Sequence, residues 1–104
     1  MNQMSLEQRF HLAMVDIYNH ARSECNYNAT YFIRMVSNYG GIDAAKRLLR
    51  SGDLVQSGFI ALWKRGCLSL SMEALVLKPE FRQLFTKEEL MIAENRLREY
   101  GYEP

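Results

Sequence analysis

The sequence is poor in the side chains on which most enzymes and metal sites depend. It contains only two histidines, two cysteines and two prolines in 104 residues. His11 and His20 lie nine positions apart on one predicted helix, so they point to roughly opposite sides and share no ligand. His20 and Glu24 have the spacing of a solvated helix pair, and no HExxH or paired-cysteine spacing occurs. We therefore expect no catalytic residues, no cofactor, no metal and no enzymatic activity.

Long apolar runs are also absent. No segment approaches the roughly eighteen apolar residues of a membrane span, and the opening MNQMSLEQRF lacks the apolar region of a secretory signal. Cys25 and Cys67 adjoin apolar positions and are expected to be reduced, structural thiols, as in a reducing compartment. A disulfide is left open for a fold that brings the two together. These features predict a cytoplasmic protein that does not enter a membrane.

A chain of this length accommodates one domain with one core. We find no linker, internal repeat or low-complexity run. The sequence therefore predicts a single domain over residues 1–104, with frayed ends at 1–4 and 102–104.

Apolar residues recur every three or four positions along most of the chain, as in amphipathic helices. Ser5 with Gln8, and Thr86 with Glu89, form capping-box patterns at helix starts. The carboxylates of the last helix, Glu89 among them, interleave with basic residues and predict a solvated face. The predicted helices run from Leu6 to Cys25, from Asn28 to Tyr39, from Ile42 to Arg50, from about Gln56–Gly58 to Arg65, from Met72 to Leu77, from Pro79 to Phe85 and from Thr86 to Gly101.

The segment Cys67–Leu70 alternates apolar and polar residues like a short strand. Since no other segment offers it a partner, we interpret it as an extended connector that leads to the helix cap Ser71. Ser51–Asp53 is interpreted as a turn. The fold class is then all-α, with about five main helices, one or two short helices and no sheet.

The stretch Ser57–Leu77 holds the only tryptophan and the densest set of large apolar side chains. Phe59, Leu62 and Trp63 repeat at helical spacing, and Gly66 can end their helix. Because a tryptophan buries more apolar area than any other side chain, we expect Trp63 to lie in the core.

Positive charge concentrates in the middle of the chain. Residues 41–70 carry five basic side chains against Asp43 and Asp53, a local charge of +3, whereas residues 71–104 carry five basic against seven acidic, a local charge of −2. A basic surface of this kind could bind nucleic-acid phosphates without reading sequence. An alternative explanation for these basic residues is their position in the last turns of helices, where the helix dipole favours positive charge. The candidate nucleic-acid-binding residues are Lys46, Arg47, Arg50, Lys64 and Arg65.

Tyrosine is frequent, with six residues in this small domain. Tyrosine is enriched at protein interfaces, but it also lies commonly at the rim of a core with its hydroxyl in water. The candidate partner-binding residues are Tyr18, Tyr27, Tyr31 and Tyr39.

Four segments of the chain, CNYNATYFIRMV, YGGIDAAKRLL, SGFIALWKRG and LSMEALVLKPEFRQLFTKEEL, resemble a small all-helical domain of bacterial hypothetical proteins. That domain occurs alone or at the end of longer chains. The resemblance covers nearly the whole sequence and implies a compact, independent domain, but it carries no activity and no catalytic residue. We expect a non-enzymatic, cytoplasmic helical domain that binds another protein, with nucleic-acid binding as the alternative.

Overall fold

The computed structural model describes residues 4–51 and 53–104, and within residues 53–57 it describes the helix but not the side chains. Every regular element in these residues is helical, which confirms the predicted all-α fold. The helices are α1 (Leu6–Cys25), α2 (Thr30–Tyr39), α3 (Gly41–Arg50), α4 (Asp53–Lys64), α5 (Met72–Val76) and α6 (Lys87–Glu99), with 3₁₀ turns at Leu68–Leu70 and Arg82–Leu84.

Local side-chain chemistry starts three of these helices where the sequence predicts. The Ser5–Gln8 and Thr86–Glu89 capping boxes are both formed, so side chains satisfy backbone N–H groups at the start of α1 and α6. The Ser71 hydroxyl accepts a hydrogen bond of 3.1 Å from the backbone N–H of Ala74 at the start of α5. These confirmed helix starts all depend on residues three positions apart.

Several predicted boundaries are wrong. α2 begins at Thr30 without a side-chain cap, and Asn28 accepts a hydrogen bond from the Tyr18 hydroxyl at 2.9 Å instead of capping the helix. α4 begins earlier than predicted, at Asp53. The predicted turn before it includes Gly52, which lies outside the described residues. The segment predicted as an extended connector and the one predicted as a helix from Pro79 each contain a 3₁₀ turn.

The core forms where apolar faces of α1, α3, α5 and α6 meet the segment that precedes α6. At its centre lies Phe10, which is fully buried and makes edge-to-face contacts with Phe81 and Phe85 at centroid distances of 5.2 and 5.3 Å. Such contacts add to the stabilisation that burial of aromatic area provides.

Trp63 does not lie in the core, so the prediction that it organises the fold is wrong. Its side chain is 44% exposed, whereas Phe59 and Leu62 on the same helix are buried. Trp63 makes an edge-to-face contact with Tyr100, at a centroid distance of 5.2 Å. Phe59 contacts the same tyrosine from the buried side, at 5.3 Å. The apolar stripe of α4 was identified correctly, but Trp63 lies at its margin.

Cys25 and Cys67 form a disulfide, which contradicts the prediction of two reduced thiols. Cys25 is the last residue of α1, and Cys67 follows α4 in the connection to the Leu68–Leu70 turn. The bond therefore joins two segments that are 42 positions apart in sequence. The spacing of apolar residues within each helix does not predict which distant segments of the chain come close together.

The Gly40-Gly41 pair does more than end α2. A Cβ atom on Gly41 would lie 2.7 Å from the Cα atom of His11, so only glycine permits this approach of α3 to α1. The Gly41 N–H donates a hydrogen bond of 3.0 Å to His11 Nδ1. His11 thus satisfies a backbone donor at the start of α3, where no side-chain cap is present.

Of the C-terminal tail that was predicted to be frayed, Glu103 and Pro104 are exposed, whereas Tyr102 is partly buried. Tyr102 packs against the core, and its N–H donates to the Leu97 carbonyl at 2.9 Å. The expected fraying at residues 1–3 falls outside the described residues. No described helix is long and apolar enough to cross a membrane.

Candidate binding cleft

A cleft of about 160 Å³ opens between α1, α2 and α4. The side chains that line it are mostly apolar or aromatic. They include Ile17, Tyr27, Phe32, Phe59, Leu62 and Met72. A cleft with such walls favours an apolar group over a strongly hydrated one.

Three of the four candidate partner-binding tyrosines lie at this cleft. Tyr18 comes from α1, Tyr27 from the connection after α1, and Tyr31 from the first turn of α2. The fourth, Tyr39, lies at the other end of α2, where the Arg47 guanidinium stacks over its ring at 4.0 Å. Tyr31 and Tyr39 are almost equally exposed, at 45% and 44%. The fold therefore separates two tyrosines that the sequence alone does not distinguish.

Polar contacts order the tyrosines at the mouth of the cleft. The Tyr18 hydroxyl donates to Asn28 Oδ1 at 2.9 Å, which ties α1 to the residues before α2. The guanidinium of Arg22 lies 5.6 Å from the centre of the Tyr18 ring, and that of Arg65 lies 5.2 Å from the centre of the Tyr27 ring. Such cation–π contacts restrict the rings before any ligand binds. Less conformational entropy is therefore lost when a ligand orders these side chains.

A buried carboxylate, Glu73, also lines the cleft. The residue is 2% exposed, and Oε2 accepts a hydrogen bond of 2.9 Å from Arg96 Nη1. Burial raises the pKa of Glu73 above its ordinary value, and the hydrogen bond and charge of Arg96 only partly offset that rise. Glu73 thus adds one polar, weakly hydrated group to an otherwise apolar surface.

Arg96 has a structural task as well. Its guanidinium donates to the backbone carbonyls of Leu48, Leu49 and Ser51, at 3.4, 2.9 and 3.1 Å. These carbonyls lie at the C-terminal end of α3. Since the last carbonyls of a helix lack partners within the helix, Arg96 caps α3 from α6 while it pairs with Glu73.

Two of the five candidate nucleic-acid-binding residues share one counter-ion. Lys46 Nζ lies 2.8 Å from Glu89 Oε1, and Arg50 Nη2 lies 3.2 Å from Glu89 Oε2. Glu89 is 1% exposed, so the prediction that this carboxylate belongs to a solvated face is wrong. Burial raises its pKa, but the hydrogen bonds from Lys46, from the Thr86 N–H and from Arg50 outweigh that effect and lower it.

The other three basic residues have different surroundings. Arg47 stacks on Tyr39 of α2. Arg65 stacks on Tyr27 and donates to the Ala61 carbonyl at 3.0 Å. Lys64 is exposed at the end of α4. Four of the five side chains thus contact different parts of the fold: Lys46 and Arg50 contact α6, Arg47 contacts α2, and Arg65 contacts the connection after α1.

The histidines are placed as the sequence predicts. His20 pairs with Glu24 on the exposed surface of α1. His11 lies on another side of that helix, against Gly41. Within residues 4–51 and 53–104, no group of three or more histidine, cysteine or acidic residues is arranged to hold a metal ion.

Sequence reasoning missed Glu73, Arg96 and the disulfide as parts of this region. Glu73 did leave a signal, because it lies between Met72 and two further apolar residues of a short helix. Arg96 left none, since it resembles the other basic residues of α6. Its role depends on the end of α3, more than forty positions away in sequence.

Comparison with protein-family models, with curated proteins and with solved structures finds no match to this chain. The resemblance to a helical domain of bacterial hypothetical proteins therefore stays a prediction.

Proposed function

We propose that this protein is a non-enzymatic helical domain that binds another protein by receiving one large apolar side chain in the cleft beside Tyr18, Tyr27 and Tyr31. The observation that carries the proposal is the convergence of these three tyrosines on one cleft of about 160 Å³. An apolar cavity of roughly 150 Å³ accommodates a benzene ring. The cleft is therefore large enough for one aromatic side chain.

The composition of the walls supports a protein ligand. Tyrosines at a rim present a broad apolar surface and a hydroxyl, and they recur among the residues that dominate binding energy at interfaces. The Tyr18 hydroxyl is already held by Asn28, which restricts the side chain before binding. An anchor side chain that enters a pre-ordered aromatic pocket is a common source of affinity.

Selection of peptides from a displayed library on the immobilised protein tests this proposal. We expect the selected peptides to share one aromatic or large aliphatic residue. Tyr31→Ala should weaken their binding by about tenfold or more, as expected for loss of an interface aromatic, whereas Tyr39→Ala should have little effect. The two variants are matched controls, because both tyrosines lie on α2 with nearly equal exposure. Equal losses in both variants, or peptides that bind without an apolar anchor, would contradict the proposal.

Nucleic-acid binding is the alternative function, supported by the basic residues Arg47, Lys64 and Arg65, which are all exposed. It is less well supported because Lys46 and Arg50 both bind Glu89. A titration of labelled protein with a short DNA duplex, followed by NMR at two salt concentrations, separates the alternatives. Shifts on α3 and α4 that weaken with salt would favour nucleic acid.

A cytoplasmic location also stays a proposal. One of its grounds was the expectation of reduced thiols, and the disulfide removes that ground because disulfides persist mainly in oxidising compartments. Cell fractionation combined with rapid thiol alkylation would show both the location and the oxidation state.

A further inference from the structure

The disulfide lies directly beside the binding cleft. Tyr27, which lines the cleft, follows Cys25 by two residues, and Arg65 precedes Cys67 by two. The guanidinium of Arg65 lies over the Tyr27 ring at 5.2 Å. The covalent bond and the cation–π contact therefore join the same two segments of chain.

Both segments are hydrogen-bonded to residues that form the walls of the cleft. The Tyr27 N–H donates to the Ala21 carbonyl at 3.0 Å, and the Cys67 N–H donates to the Leu62 carbonyl at 2.8 Å. Ala21 and Leu62 both line the cleft. A separation of the two segments would move the end of α1 away from the end of α4 and widen the cleft between them.

The non-covalent ties across this junction are modest. Arg65 is exposed, and a cation–π contact at an exposed site is weak. Cys25 and Cys67 are themselves only half-buried, so a small dithiol can reach the bond. The disulfide is thus both the strongest tie across the junction and one that is chemically accessible.

We propose that the Cys25–Cys67 disulfide is a redox-controlled clamp. It holds the ends of α1 and α4 together and so keeps the binding cleft at the width seen in the structure. A dithiol reductant attacks one sulfur as a thiolate, forms a mixed disulfide and leaves as its own cyclic disulfide. The reductant supplies two electrons and two protons, so the protein gains two thiols. The junction then opens, and the cleft loses its fit for an aromatic side chain. The effect on ligand binding rests on the proposed function, whereas the opening itself does not.

Amide hydrogen exchange, measured by NMR with and without dithiothreitol, tests the opening without any ligand. By mass spectrometry, the oxidised protein should be lighter than the reduced protein by two hydrogen atoms. On reduction, exchange at the Tyr27 and Cys67 amides should accelerate by about tenfold or more, as for a newly opened local unit. Exchange at the Gly41 amide, on the α1–α3 contact, should accelerate clearly less than exchange at Tyr27 and Cys67, and no more than the loss of global stability requires. The double variant Cys25→Ser/Cys67→Ser should match the reduced protein under both conditions.

Two results would overturn the clamp. One is recovery of two free thiols after equilibration with oxidised glutathione, since the bond would then not form. The other is equal acceleration at Gly41 and Tyr27, or no acceleration at all, because the bond would then have no local effect on the cleft.

A titration with phenol, as a single-ring probe, tests the consequence for binding. We expect phenol to shift the resonances of Tyr31 and Ala29 in the oxidised protein, with affinity at least about fivefold weaker after reduction, because pre-organisation is lost. Equal affinity in both states would refute redox control of binding. If phenol binds to neither state while the exchange difference stands, the clamp is retained and the proposed function fails.

Discussion

At the scale of single residues, Glu73 and Glu89 show how surroundings decide the behaviour of a buried carboxylate. Each residue is at most 2% exposed. The Glu73 carboxylate pairs with one guanidinium, and the effect of burial outweighs that of the guanidinium, so the pKa of Glu73 is raised. Glu89 meets Lys46, Arg50 and a backbone N–H, and these donors prevail, so its pKa is lowered. Their contributions to the pH dependence of stability therefore have opposite signs.

The first prediction concerns this pH dependence. Because the pKa of folded Glu89 lies below its ordinary value, its stabilising contribution is fully present above the ordinary value and is lost as pH falls through the lowered one. Glu89→Gln should therefore give a shallower loss of unfolding free energy on acidification, measured by urea unfolding between neutral and acidic pH.

Glu73→Gln provides the contrasting variant. The raised pKa of Glu73 makes unfolding free energy fall as pH rises from the ordinary value through the raised one. Glu73→Gln should therefore remove the decline of unfolding free energy with rising pH, while the loss of unfolding free energy on acidification should remain. Identical slopes in the two variants would contradict the assigned pKa directions.

The second prediction concerns the aromatic residues of α4. Phe59 is buried, so Phe59→Ala should lower the unfolding free energy by about 3–5 kcal/mol, the usual cost of truncating a buried aromatic. Trp63→Ala should cost only about 1 kcal/mol, since much of its side chain is already in water. Denaturant unfolding of both variants checks the difference, and a larger loss for Trp63→Ala would contradict this placement of α4.

At the scale of helices, the close contact of α1 with α3 depends on Gly41. Replacement by alanine sets a Cβ atom against the α1 backbone, which cannot yield as a flexible side chain does. The third prediction is that Gly41→Ala lowers the unfolding free energy by about 1–3 kcal/mol, as overpacking does.

Gly58→Ala is the matched control for this third prediction. Its Cβ would meet only the Tyr27 hydroxyl, at an ordinary 3.4 Å. Because alanine is the better helix former, Gly58→Ala should raise stability by about 0.5–1 kcal/mol. Thermal unfolding of both variants is the measurement, and equal melting temperatures would contradict the close α1–α3 packing.

The end of α3 depends on a residue of another helix, Arg96 of α6. The fourth prediction is that Arg96→Ala lowers the unfolding free energy by about 3–5 kcal/mol, because it leaves the buried carboxyl group of Glu73 without its partner and α3 without its cap. Denaturant unfolding measures the loss.

Arg98 serves as the control for Arg96 on the same helix. It pairs with Glu94 at 2.8 Å, but its side chain is 55% exposed. Arg98→Ala should therefore cost less than about 1 kcal/mol, as for surface ion pairs. Similar losses for the two arginines would show that the Arg96 network contributes little.

At the scale of the whole molecule, the disulfide restricts the unfolded chain as well as the cleft. It closes a loop with a sequence separation of 42 residues. The fifth prediction is that Cys25→Ser/Cys67→Ser lowers the unfolding free energy by about 4 kcal/mol, the loop-entropy value for this length. Urea unfolding without reductant measures this difference. In the presence of a dithiol, the unfolding free energy of the parent protein should fall to that of the double variant. A parent protein that stays more stable than the variant would contradict the assignment of the disulfide.

The sequence by itself determined the helical class of this protein and the starts of three of its helices. The capping boxes at Ser5 and Thr86 and the cap at Ser71 were found correctly because each joins residues only three positions apart. The all-α class followed from apolar spacing, which is likewise local. Tyr18, Tyr27 and Tyr31 were identified as candidate surface residues by their type, although nothing in the sequence separated them from Tyr39.

Only the tertiary structure decided which side chains meet. The exposure of Trp63, the burial of Glu89, the disulfide and the cleft each depend on segments distant in sequence. A helical period states which residues share a face, but not how far the neighbouring helix covers that face. Coverage is set by close packing of all the helices together, and so Trp63 lies at the margin while three tyrosines surround one cleft.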